Sequence, residues 1–588
     1  MGFKGLRIDS SNPKPLNIAF LLVSTFFLLT FVLQYTFRIL DDNRLTSWQW
    51  VFIHTEAWKV YLIIVASLLF SYISSRHVIP QLLLAPPKLL LAPPIFEGSG
   101  FDNKPIVLFV IGFIAVIPFW QEPEPIVDAS RYFTQAKNLE VYGIRYFLKE
   151  WGKNISAWTD MPLIPFVYGL IFKFIGEYRT CIQIFNTTIF SLTLVLTYLI
   201  GKSLWDEDIG FYGGLLLMGI PYIFTQVPLM LVDIHVMFLL TLSVYTFIKA
   251  LRNGGIWIAF SSLCISMSFF SKYSIWLMMT ILPLIFLFCR LEGSPSSRGF
   301  ITSLFSALLI AIFFLYNPDV FTSQIKFLLE YQRPGLKRWT EGFTSTFLFQ
   351  IHPFITAFAL YSFYIAIKKR DLRFIIIGYL IVLVILLQIK RIRYIIPVFP
   401  MLSLMASYGM QGMDPRLKRF IVLCILSLSL SIAISAYLPF IKDMSMMNLK
   451  KAGEFLNRGD MEAVEVITIP SHGSPVNQAV SVPLLDLFTE KRLIYHYKPE
   501  DMPSKEDIET SPLRFTWEYK NPRYYEGHGL TVTSPPNVDA MVVISEGDEE
   551  GFPEYVKERA RRYSDKIVFN TSEGIFQYRT FVTIMIMK

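Results

Sequence analysis

Four ionisable residues stand at the edges of long apolar runs, Asp233, Lys272, Arg391 and Arg393, and a fifth, Asp128, lies in the polar stretch 121–160 that follows another. Charged groups in such places are costly and tend to be kept for function. Arg131, Tyr132 and Gln135 follow Asp128 at spacings near three and four, which places them on one face of a helix that begins at the aspartate. A carboxylate at a helix start beside an arginine stays ionised. That suits a general base taking a proton from an acceptor hydroxyl or amine. An N-cap with a surface ion pair explains the same residues. Asp233, in QVPLMLVDIHVMF, is nearly alone among apolar residues; it reads as a site carboxylate or as a charge snorkelling to water.

The cations have a matching chemistry. Lys272, in SFFSKYSIW, is either a hairpin tip or a contact to a phosphate. In KRIRYIIPVFP (390–400), Arg391 and Arg393 each present a planar fork of donors that fits phosphate oxygens, and Tyr394 adjoins them. Arg333 and Arg338, with Tyr331 and Trp339, make 317–345 a basic, aromatic loop that suits a charged, ring-shaped substrate, or is simply solvated. The stretch 514–529 is dense in aromatics, which stack on sugar rings or fill the core of a small domain; the core is the reading taken.

The elements that must carry these residues are membrane helices. Apolar residues form 53% of the chain and charged residues 17%, with mean hydropathy +0.45, so the apolar runs need an apolar solvent. At about 20 residues per crossing, spans are expected at 18–38, 57–74, 105–120, 182–201, 211–231, 234–251, 256–271, 274–289, 300–316, 346–366, 374–389, 394–410 and 420–438, thirteen in all. The run 161–176 is short and carries Pro162, Pro165 and Lys173, so it is expected to lie at the interface or re-enter. Lys4, Arg7 and Lys14 precede the first run, which no small-residue cleavage site follows; it is expected to be retained.

Loop charge sets the orientation. With the N-terminus in the cytoplasm, Lys202, Lys249, Arg252, Arg290, Arg298, Lys368–Arg373 and Arg416–Arg419 all face inward, as the positive-inside bias requires. Three basic clusters then face outward: Arg131 to Lys153, Arg333 to Arg338 and Lys390 to Arg393. Binding a phosphate at the membrane surface accounts for them. The net charge of +8 is spread over short loops and does not indicate nucleic acid. The four cysteines lie in apolar runs and offer no disulfide framework. LLLAPP occurs at 82–87 and again at 89–94, and no longer repeat is evident.

Beyond about 440 the chain turns polar. Strands are expected at Val464–Ile469, Ala540–Ile544, Lys566–Phe569 and Thr580–Met587, and helices near 447–457 and 553–563, making a small α/β domain on the outer face. The domain organisation expected is 1–104, extra N-terminal helices and linker; 105–440, a transmembrane domain with outer loop 121–160; and 441–588, the extracytoplasmic domain. No GxxxxGK[ST], HExxH or usable GxSxG is present, which removes support for nucleotide-driven transport and zincin chemistry.

Taken in order, these motifs resemble the GT-C superfamily, and within it the protein O-mannosyltransferases and aminoarabinose lipid A transferases. Asp128 with Arg131-Tyr132 and Ala136 is similar to the family's Asp-Glu-x-x-Tyr-x-x-x-Ala, and Met161-Pro162-Leu163 to its Pro-Pro-Leu. Gly176-Glu177-Tyr178-Arg179 approximates Gly-x-x-x-x-Arg, Asp233 matches an acid at the outer end of a span, and Arg393-Tyr394-x-x-Pro397-x-x-Pro400 matches Arg-Tyr-x-x-Pro-x-x-Pro. Lys272 falls where the family often has a lysine. The match covers about 105–410. Ala129 replaces the family's second acid, which bears against a paired-carboxylate or metal role in that loop.

The resemblance implies a polytopic α-helical GT-C fold and an inverting transfer of a hexose or pentose from a polyprenyl- or dolichyl-phosphate donor to a protein, lipid or glycan acceptor. Asp128 would be the base, with Asp233 ordering the site. Lys272, Arg391, Arg393 and Tyr394 would hold the donor phosphate; Arg131, Tyr132, Arg333 and Arg338 would contact substrate. No cofactor is fixed by it, and a divalent metal stays open. The rival readings are a transporter or flippase for an anionic lipid or lipid-linked sugar, which needs polar residues through the midplane, and a scaffold whose outer domain binds glycan.

Overall fold

The computed structural model describes residues 13–587 apart from 44, 78–101, 158–159, 317, 328, 330–340, 471–475, 496–503, 511–513, 520–521, 526–537 and 572–578. Arg333, Arg338 and the LLLAPP duplication lie outside the described residues.

Seven helices are long and apolar enough to cross a membrane: Leu16–Thr36, Ala57–Ser75, Lys104–Gln121, Arg179–Leu204, Asp233–Asn253, Ser296–Leu315 and Pro415–Lys442. Six others of the thirteen expected spans fall on shorter or broken helix. In 211–231 the helix Glu207–Met218 stops where Gly219 and Pro221 interrupt it, and only the turn Pro221–Phe224 follows. In 394–410, Pro397 sits in a 3₁₀ turn ahead of the helix Phe399–Gly409. In 346–366 a π-helical turn, Ser345–Ile351, precedes Pro353–Lys369. The chain is a multi-pass membrane protein.

The helices cross closely where side chains are absent. A Cβ on Gly201 would stand 2.5 Å from the Gly210 Cα, and one on Gly409 would stand 2.2 Å from the Phe358 carbonyl oxygen. In lipid, where apolar contact gives helices no preference for one another, such small-residue crossings supply the packing.

The two ends of the bundle differ in chemistry. At one end Lys104 and Lys202 pair with Glu207 at 2.6 and 2.8 Å, Arg252 with Glu292 at 2.8 Å, and Arg373 donates to the Leu204 carbonyl at 2.9 Å. These are the loops expected to face inward. The opposite end holds Asp128, Asp233, Lys272 and Arg393. The helix Leu163–Phe174 begins there, with Leu163 N–H donating to the Phe270 carbonyl at 3.1 Å, and the chain returns to the same level, where Arg179 meets Glu124 at 3.0 Å. Twelve residues span roughly 18 Å, against about 30 Å of hydrocarbon.

The N-terminal helices are anchored at the site end as well. The Asp41 carboxylate accepts from Ser345, from Gln350 Nε2 at 2.6 Å and from the Trp48 amide at 2.7 Å. Burial pushes this carboxyl up to about 7, against the pull of those hydrogen bonds.

The polar C-terminal region forms a five-stranded sheet ordered β2-β1-β3-β5-β4, with β1 Ala463–Thr468, β2 Arg492–Tyr495, β3 Ala540–Ser545, β4 Asp565–Phe569 and β5 Phe581–Ile586. β2, β1 and β3 run parallel; β5 is antiparallel to β3 and β4. The helices Met447–Arg458 and Glu554–Ala560 stand where expected. Another helix, Gln478–Asp486, joins this region to the site end: Lys137, on the helix Asp128–Tyr142, pairs with Asp486, which also accepts from the Tyr525 hydroxyl at 2.7 Å.

Candidate active site

The helix that bears the expected base begins at Asp128, as the spacing of its polar face requires. Asp128 is part-buried. Its Oδ2 accepts from Arg393 Nη1 at 2.6 Å, and its Oδ1 accepts from the Tyr519 hydroxyl at 3.3 Å with Arg131 Nη1 3.7 Å away. Burial disfavours its charge, but the Arg393 and Arg131 guanidiniums outweigh burial and hold the carboxyl well below the usual carboxylate range.

Arg393 joins two carboxylates. Its Nη1 reaches Asp128 and its Nε reaches Asp233 Oδ2 at 2.7 Å. Asp233 opens the spanning helix Asp233–Asn253 and is 2% exposed. Its other oxygen accepts from Lys272 Nζ at 2.6 Å. A bare carboxylate so placed would be costly; two cations, both hydrogen-bonded to it, make it tenable. Lys272 lies 5.9 Å from the Tyr394 ring centroid, and the Arg391 guanidinium 5.5 Å from the same ring. Arg391 is drawn toward Glu341, 3.7 Å away, rather than to Asp128 or Asp233.

The shared face expected on the helix Asp128–Tyr142 is realised through Asp160. Arg131 grips that carboxylate with Nε at 2.5 Å and Nη2 at 3.0 Å, and Gln135 Nε2 adds a bond of 3.1 Å. Asp160 is bridged in backbone register to Lys272. Tyr132 is fully buried, its ring 5.2 Å from the Arg131 guanidinium.

The structure thus brings Asp128, Arg131, Asp233, Lys272 and Arg393 into one ion-paired cluster, with Tyr394 and Arg391 at its margin. Three of its members were not singled out from sequence. Asp160 and Glu341 were loop acids without a motif. Tyr519 belongs to the aromatic stretch read as core, and it is buried, but its hydroxyl touches both Asp128 and Arg131. Density of aromatics in a polar domain was the signal available, and it does not say which ring reaches out.

A second buried acidic pair lies alongside. Glu124 accepts from Arg179 Nε at 3.0 Å and from the Met230 amide at 3.1 Å. Glu122 is fully buried, and its oxygens find no partner among the described residues. Burial drives its carboxyl well above the ordinary range, against the pull of the Arg179 guanidinium.

Among the described residues no three His, Cys, Asp or Glu side chains converge as a metal-holding group. Asp128, Asp160 and Asp233 each already meet a guanidinium or ammonium, which competes with a cation for the same oxygens.

Residues 159–317 match the model of the dolichyl-phosphate-mannose-protein mannosyltransferase family. The resemblance to the GT-C membrane glycosyltransferases holds. The matched segment contains Asp160, Asp233 and Lys272, three of the residues that meet at the site. Among solved structures, ArnT from Cupriavidus metallidurans bound to undecaprenyl phosphate is similar over 82% of this chain and 98% of that one, at 10% identity and a TM-score of 0.49. The oligosaccharyltransferase AglB from Archaeoglobus fulgidus, in complex with an inhibitory peptide and a dolichol-phosphate, is similar over 80% of this chain and 74% of that one, at 11% identity and a TM-score of 0.42. No curated protein matches the chain.

Proposed function

We propose that this protein transfers a sugar, with inversion, from a polyprenyl-phosphate donor to an acceptor on the extracytoplasmic face of the membrane. One observation carries the reading: Arg393 spans Asp128 and Asp233, with Lys272 on the far oxygen of Asp233. A proton acceptor and two phosphate-binding cations therefore sit within one hydrogen-bonded unit at a bilayer edge.

The chemistry follows from those positions. The acceptor O–H or N–H attacks the anomeric carbon. The bond from that carbon to the phosphate oxygen breaks, and its electron pair leaves with the phosphate. The acceptor proton passes to the Asp128 carboxylate. Lys272 has three donors and spends one on Asp233, so it has capacity for a phosphate oxygen as charge grows there. Arg391 at the margin extends the cationic field. The donor family named by the matched model, dolichyl-phosphate mannose, supports a polyprenyl phosphate as leaving group. Asp128 is a weak base while both guanidiniums attend it. An incoming phosphate shares Arg393 with the aspartate and so restores part of its basicity.

Purified protein in liposomes, given a polyprenyl-phosphate sugar and an extract of envelope acceptors, is expected to release polyprenyl phosphate and make a product of higher mass. Transport of the intact donor across the bilayer, with no product, would instead establish the flippase reading.

The same reading places the N-terminus in the cytoplasm and the sheet domain, 441–588, outside, with thirteen crossings between. The gathering of Lys202, Arg252, Arg298 and Arg373 at the end remote from Asp128 supports it. Cysteines placed at exposed Gly547 and Ser297 are expected to label from opposite sides: Gly547→Cys in intact cells with an impermeant maleimide, Ser297→Cys only after permeabilisation. Labelling of both from one side would overturn the topology.

A further inference from the structure

Arg131 and Tyr519, which both contact Asp128, also line a cavity of 480 Å³. One wall is the helix Asp128–Tyr142, which contributes Gln135 and Asn138. The other comes from the C-terminal region, with Asn477 and Trp517. The volume is within the roughly 300–1,000 Å³ usual for small-molecule sites.

Two buried polar atoms in this lining have no partner among the described residues: Gln135 Oε1, an acceptor, on a side chain only 2% exposed, and Trp517 Nε1, a donor. Leaving such atoms unpaired is costly; both are closed to solvent as the side chains stand, so a ligand group that donates and accepts gains their hydrogen bonds by displacing the neighbours that cover them. A sugar hydroxyl is such a group. The rest of the lining agrees. Tyr142 and Tyr146 lie with ring centroids 4.7 Å apart and offer apolar faces to a pyranose, while the Asn and Gln amides match hydroxyls in both directions.

Charge points the same way. Among the described residues of the lining only Arg131 and Arg523 are charged, and Arg131 is committed to Asp160. An anionic head group would find one arginine. Among the described residues no strand edge lines the cavity, so an extended peptide finds no ladder there to join.

We infer that this cavity is the acceptor subsite of the transferase and takes the neutral, polyhydroxylated end of a glycan. The inference rests on the reaction proposed above. Its test uses full-length protein in nanodiscs, with mannobiose, galactobiose, a glucuronate disaccharide and the capped peptide acetyl-Ala-Thr-Ala-amide as probes, read by saturation-transfer NMR. A neutral disaccharide is expected to bind, and the anionic sugar and the peptide are not. Trp517→Ala and Tyr146→Ala are each expected to weaken that binding about tenfold or more. Trp517→Phe, which keeps a ring, should retain part of it. Equal binding in Trp517→Ala, or competition by the peptide, would overturn the subsite. Absence of disaccharide binding in a preparation that releases polyprenyl phosphate would overturn the subsite and leave the transferase standing. Disaccharide binding without any transfer would leave a saccharide site and remove the reaction to which it was assigned.

Discussion

Asp128→Asn is expected to lower sugar transfer by roughly 10²–10⁴-fold, the range for losing a general base, while the protein still folds and inserts. Asparagine keeps the shape of the side chain. Its amide oxygen can face Arg393 and its amide nitrogen can face the Tyr519 oxygen, so neither neighbour is abandoned. What is lost is the capacity to take a proton as the acceptor bonds to carbon. At about 1.4 kcal/mol per factor of ten, this amounts to about 3–5 kcal/mol of transition-state stabilisation. Donor affinity, which rests on Lys272 and Arg393, should change little, so the effect belongs in kcat rather than in the KM for donor. Transfer within a few-fold of wild type would remove Asp128 from the mechanism.

The ionisation of Asp128 adds a second readout. Its carboxyl is held well below the ordinary value by Arg393 and Arg131 against the opposing effect of burial. A carboxyl depressed in the folded state contributes stability that is present above its unfolded value, about 3.9, and lost as pH falls through the folded one. The wild-type rate is therefore expected to stay level on the acid side down to about pH 4. A limb between pH 5 and 7 would assign the essential base to another group.

How much of this was legible in the sequence depends on what each residue contacts. Apolar runs and outlying charges report their own position relative to lipid, so the helices, the short helix Leu163–Phe174 and the charges Asp128, Asp233, Lys272 and Arg393 all stood out. Four of the five strands did too, because alternation over five or six residues is readable. β2 has four residues, Arg492–Tyr495, and the helix Gln478–Asp486 has Pro483 within it, so neither carries a clear period. The partners were less legible. Tyr519 meets Asp128 across 391 positions, and Arg393 meets it across 265. Nothing local in either stretch encodes the other. Asp160 is an ordinary loop acid until the helix Asp128–Tyr142 turns Arg131 and Gln135 onto it. Ala129 beside Asp128 carries no charge, and the second carboxylate that Arg131 meets comes from this loop instead.

Arg393 is the residue whose loss should be felt most widely. Arg393→Ala leaves Asp128 and Asp233 without their shared guanidinium, and removing one partner from a buried ion pair typically costs about 3–5 kcal/mol. Lower folded yield and a lower unfolding temperature are the expected result. Arg393→Lys separates charge from geometry. A lysine restores one positive charge, but a single ammonium does not reproduce the fork that reaches Asp233 through Nε and Asp128 through Nη1. That variant is expected to fold and to lose roughly 10²–10³-fold in transfer, the scale for one donor at a site of developing charge. Its Asp128 should also titrate closer to the ordinary value, since the largest charge depressing it has moved away. The stability gap between wild type and Arg393→Ala is then present at neutral pH and closes as pH falls through the depressed value of Asp128, where the wild type loses its advantage. Melting curves taken from neutral to acid pH would follow that gap directly. A gap that stays constant would mean that Arg393 holds the helices together by packing alone, and that the bridge between the two aspartates has no electrostatic role.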